Sequence, residues 1–116
     1  MDSRLEKALE FSNLRMTQSI ERRRLKEKLK TDLTYAHNGG IFVIDRTLLT
    51  FLQSLQTKIG HGSSVILDDK LNPVEIKNVS EFADAVWETY FTTTSQYLWD
   101  LNNLKQRRKV QDIVEL

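Results

Sequence analysis

The chain of 116 residues has no cysteine, only one proline and only four glycines. The missing cysteines exclude disulfides, thiol nucleophiles and zinc–thiolate sites, and fit a reducing compartment. Charge of one sign is also missing. Although 28% of residues are charged, the formal net charge is +1, which disfavours nucleic-acid binding through bulk charge. No run approaches the ~20 apolar residues that a membrane helix needs. The opening Met1-Asp2-Ser3-Arg4-Leu5-Glu6-Lys7 lacks the apolar core of a signal peptide. With 40% hydrophobic residues, the expectation is a soluble cytoplasmic protein with a modest core, and no membrane partner.

The scarce turn formers are confined to the middle of the chain. They lie in Asn38-Gly39-Gly40, Gly60-His61-Gly62 and Asp68 to Pro73. The stretches on either side carry helical periodicity. Ser3 is a candidate N-cap with Glu6 three residues on. At about 100° per residue, Leu5, Leu9, Met16 and Ile20 share one side of the first helix, and Phe11, Leu14, Leu25, Leu29, Leu33 and Ala36 share the opposite side. Two opposed stripes call for two neighbours, or for a kink near residues 17 to 22. In the second helix, Ala83, Tyr90, Tyr97 and Leu104 recur every seven residues, with Trp87, Thr94 and Leu101 as the second seam position.

Between the long helices, Ile41 to Ile44 reads as a buried strand. Asp45 caps a short helix that Gly60 closes. Ser64 to Leu67 and Val74 to Lys77 read as a hairpin around Asp68 to Pro73. The expected fold is α+β and mainly helical, a single domain. It has a long helix over 1–37, an α/β head of one short helix and about three strands over 38–78 with a hairpin at 64–77, a second long helix over 79–109, and a tail over 110–116. Val110, Ile113, Val114 and Leu116 give the tail apolar character. Helices this long cannot bury their stripes against so small a head, so they must pack on each other or on another copy.

If Ala36 lies near Ser80, the helices form an antiparallel hairpin. Arg107, Arg108 and Lys109 then approach Glu6 and Glu10, while Asp84 and Glu88 approach Lys28 and Lys30. The run Thr92-Thr93-Thr94-Ser95, a poor helix centre, falls opposite Arg22 and Arg23.

Little here suggests chemistry. His37 and His61 border glycine turns, and with Asp68 and Asp69 they match no zinc or calcium spacing. Gly39-Gly40 lacks the Lys-Ser/Thr of a phosphate loop. No serine has a triad in view. The expectation is therefore no catalytic residue, no metal and no cofactor. Arg22, Arg23, Arg24, Lys26, Lys28 and Lys30 form the best candidate nucleic-acid-binding cluster, which could neutralise backbone phosphates. No aromatic is interleaved with it as a stacking platform. The competing reading is a solvated face that pairs with the acidic second helix.

Three stretches carry a resemblance: Lys7-Ala8-Leu9-Glu10-Phe11-Ser12-Asn13, Tyr35 to Asp45, and Val65 to Ile76. They resemble small uncharacterised proteins of contractile-tailed marine bacteriophages, notably cyanophages. The resemblance implies a phage origin and a virion or assembly role, in the host cytoplasm or the virion, and supplies no functional residues. The helix–strands–helix plan is similar in shape to prefoldin subunits, apart from the central helix. The reading as a whole is a non-enzymatic, self-associating structural or assembly protein. Leu5, Leu9, Met16 and Ile20 are its candidate oligomer interface, other phage proteins are further partners, and a nucleic-acid-binding accessory protein is the alternative.

Overall fold

The computed structural model describes residues 3–115, with side chains to Arg107. The side chains of Arg108 and Lys109, expected beside Glu6 and Glu10, and the apolar side chains of the tail over 110–116 lie outside the described residues. The order of elements is α1 (Ser3–Asp32), β1 (Thr34–His37), β2 (Gly40–Val43), α2 (Arg46–Ile59), β3 (Ser64–Leu67), β4 (Pro73–Ile76) and α3 (Val79–Glu115). The fold is α+β and mainly helical, with two long helices and two small antiparallel sheets of two strands each.

The structure differs from the sequence expectation in two helix boundaries and in the number of strands. The first helix stops at Asp32 instead of continuing to residue 37, because the next residues pair as a strand. Tyr35 faces Phe42 and His37 faces Gly40 across a hairpin. Asn38 and Gly39 supply the two positive φ angles, 46° and 81°, that a two-residue primed turn requires. The head accordingly has four strands in two hairpins, where about three were expected. Helix α3 continues to Glu115, past Lys109. The hairpin expected at 64–77 forms as β3 and β4.

The chain divides into two compact units, 30–95 and a second unit that joins 1–29 to 96–116. The first is the head. Its core gathers Phe42 and Ile44, Leu49 and Leu52 of α2, Ile66, Val74 and Ile76 of the second hairpin, and the opening turns of α3. Leu52, Ile76, Val79, Ala83 and Val86 are completely buried. Phe82 sits edge-on to Tyr35, His37 and Phe42, with ring centroids 5.1–5.6 Å away. Asp45 caps α2 by accepting from the Leu48 N–H at 2.7 Å. The N–H groups of Val79 and Ser80 donate to the carbonyls of Gly62 and Gly60, which fastens the start of α3 to the loop after α2.

In the second unit α1 faces the later part of α3. Its inward positions are Leu14, Gln18, Glu21, Leu25 and Leu29, in the 3–4 spacing of a coiled-coil seam. Those of α3 are Tyr97, Leu101 and Leu104, the last only 3% exposed. The expected register is corrected here: Arg107 pairs with Glu21 at 3.8 Å, not with Glu6 or Glu10. This is about three helical turns further along α1. The shift has a physical cause, since α3 spends its opening turns in the head core and its arm-forming stretch begins later. The Thr92–Ser95 run does not interrupt α3. The hydroxyl of Thr94 donates back to the Tyr90 carbonyl at 2.8 Å, as a threonine within a helix can.

Candidate functional site

The outward face of α1 is the first surface with unmet capacity. Leu5, Leu9, Met16 and Ile20 are 48–63% exposed, although they form an apolar stripe. The opposed stripe is divided. Leu14, Leu25 and Leu29 turn inward, Phe11 stays exposed, and Ala36 is in a strand. Helix α1 continues without interruption through residues 17 to 22.

The basic residues Arg22, Arg23, Arg24, Lys26, Lys28 and Lys30 are all exposed. At about 100° per residue they do not form one line. Arg22 and Lys26 border the inward seam on one side, and Arg24 and Lys28 on the other. Asp84 and Glu88, the expected acidic partners, belong to the head unit.

Two clefts open on the head among the described residues. One, of about 360 Å³, is lined by Tyr35, His37, Asn38, Lys77, Glu81 and Phe82 among others. His37 is half-buried there, stacked on Tyr35 at 6.2 Å, whereas His61 is exposed elsewhere. The two histidines therefore do not share a site. Asp68 and Asp69 lie on the other cleft. Among the described residues no group of three or more His, Asp or Glu side chains could hold a metal ion, and no helix is long and apolar enough to cross a membrane.

The second cleft, of about 510 Å³, lies between β2, the start of α2 and β3. Its walls are apolar and include Val43, Phe51, Val65 and Leu67, all of them exposed. Its charged lining consists of Asp45, Asp68 and Asp69, with no base among them. Asp68 organises the adjoining turn. Its Oδ1 accepts from the N–H groups of Lys70 and Asn72 at 2.9 and 2.8 Å, and its Oδ2 from the Ile41 N–H at 3.3 Å. The Asn72 N–H above all holds the Asp68 carboxyl below the usual carboxylate range. Burial opposes this, and the bonds from Ile41, the Asn72 side chain and Lys70 reinforce it.

Sequence reading singled out the α1 stripe and the basic cluster but missed this cleft. The available signal was in the alternation. Ile41, Val43, Val65 and Leu67 occupy the positions of β2 and β3 that point away from the core, where a half-exposed strand ordinarily carries polar residues.

Compared with known proteins, the chain matches no family model, no curated relative and no solved structure.

Proposed function

We propose that this chain is a non-enzymatic assembly protein that self-associates through the outward stripe of α1. The observation that carries the reading is the exposure of Leu5, Leu9, Met16 and Ile20 on the side of α1 opposite its inward seam. Each side chain is about half exposed, so covering all four is worth on the order of 3–6 kcal/mol, taking about 1.5–3 kcal/mol for complete burial of one. Two copies pairing stripe against stripe double this figure, from which the cost of association is subtracted. A micromolar complex requires about 8 kcal/mol net, so the expected assembly is weak to moderate and depends on concentration.

Sedimentation tests this directly. The 13.6 kDa chain is expected to shift to a multiple of its mass as concentration rises, and the Leu9→Glu/Met16→Glu variant to remain at monomer mass. A strict monomer at high concentration overturns the reading. For the biological setting we propose phage assembly, on the resemblance of the Tyr35–Asp45 and Val65–Ile76 stretches. Neighbouring tail or capsid genes support that setting, and a purely metabolic neighbourhood opposes it.

A nucleic-acid-binding role is the second reading, favoured by the exposure of all six basic residues from Arg22 to Lys30. A salt-dependent mobility shift that Arg22→Ala/Arg23→Ala/Arg24→Ala abolishes supports it. No shift at low salt ends it.

A further inference from the structure

We infer that the cleft between β2 and β3 is a strand-docking site for an extended apolar peptide with flanking lysine or arginine, presented by a different protein. Across an antiparallel pair, hydrogen-bonded and non-hydrogen-bonded residue pairs alternate. The Asp68 N–H donates to the Asn72 carbonyl at 2.9 Å, so the hydrogen-bonded pairs of the second hairpin are Asp68–Asn72, Ile66–Val74 and Ser64–Ile76. Val65 and Leu67 belong to the other set, and their N–H and C=O groups point away from β4. Pro73, opposite Leu67, has no N–H to offer and fits the same phase.

The same alternation applies to β2. The Ile44 N–H donates to the Leu33 carbonyl at 2.8 Å, so Ile41 and Val43 direct their backbone groups away from β1. Those of Ile41 are occupied: its carbonyl accepts from the Asp69 N–H at 3.0 Å, and its N–H donates to Asp68. Beyond this tie the two edges are not bonded to each other. Among the described residues nothing pairs with the outward backbone groups of Val43, Val65 and Leu67. All three residues line the 510 Å³ cleft.

Unpaired strand edges are commonly protected by charge or covered by structure. Here the edge side chains are apolar, with Val65 61% and Leu67 56% exposed. An added strand satisfies backbone groups and covers alternate side chains at the same time. Charge decides which strand. Asp45, Asp68 and Asp69 give the cleft a purely acidic rim, so pairing this edge with the same edge of a second copy brings like charges together. A strand with basic residues beside its apolar ones is attracted instead. This surface is separate from the α1 stripe, and its occupant is a different molecule.

The test uses the full ¹⁵N-labelled chain and the peptide acetyl-Lys-Thr-Val-Thr-Val-Thr-Lys-amide. Two further peptides serve as controls, one with glutamates in place of lysines and one with N-methylated valines. The lysine peptide is expected to shift the amides of Val43, Val65 and Leu67. It should also slow exchange at Val65 and Leu67 by about tenfold, the scale of a single added hydrogen bond. N-methylation should weaken binding about tenfold or more. The glutamate peptide should bind wild type poorly, and the Asp69→Lys variant, which takes the charged lining from three negative charges to a net of one, should narrow the difference between the two peptides. Unchanged Val65 and Leu67 amides overturn the proposal, as does binding indifferent to N-methylation. Protection of these amides that grows with protein concentration in the absence of peptide also overturns it, by placing a second copy on the edge.

Discussion

At the scale of single residues, the head depends on positions where one atom more or less changes the packing. Gly40 closes the first hairpin beneath the second, and a Cβ built there collides with Cγ2 of the buried Val74. A β-branched side chain in a filled core cannot swing aside. Gly40→Ala is therefore expected to destabilise the head by about 1–3 kcal/mol, the cost of overpacking, measurable by urea denaturation. Asp68 acts through charge. Because its folded pKa lies below the ordinary value, its contribution is complete above the carboxylate range and is lost as pH falls through the folded pKa. Acidification through that window should lower the thermal midpoint of wild type more than that of Asp68→Asn. Asp68→Ala, which leaves the Ile41, Lys70 and Asn72 donors without their acceptor, should lower the midpoint at neutral pH.

At the scale of elements, the helices and the second hairpin were legible because their signals are local. The heptad of Ala83, Tyr90, Tyr97 and Leu104 turns inward along its whole length, as its period requires. The Asp45 cap and the Gly60 stop needed no tertiary information. β1 was not legible as a strand. Leu33 and Ala36 continue a helical stripe, and only pairing with Ile41–Val43 turns Thr34–His37 into an edge. The helix register was hidden for a related reason: it depends on how much of α3 the head consumes, which composition does not reveal. The strand-docking cleft was equally hidden, because it depends on which backbone groups face outward. Gln18 offers a test at this scale. It is a buried amide in the inward seam of α1, where a polar residue fixes register at a cost in stability. Gln18→Leu is expected to raise the thermal midpoint of the helical unit and to broaden its distribution of assembled masses, as read by calorimetry and sedimentation.

At the scale of the whole molecule, every residue of the buried head cluster falls between Phe42 and Val86, so the head carries a core of its own. Leu52→Ala should remove about 2–5 kcal/mol from that core. Hydrogen exchange should then show faster opening of head amides, with little change at Tyr97 to Leu104 of the other unit.

The Arg107–Glu21 contact also bears on folding kinetics. Bringing those two residues together in an unfolded chain closes a very long loop, whereas the hairpins close loops of only a few residues. Nucleation in the head is therefore cheaper, and once the head has formed it shortens the path between the arms. Substitutions in the head core should slow refolding, whereas those at Leu25 or Leu101 should mainly speed unfolding, a difference that stopped-flow chevrons can resolve.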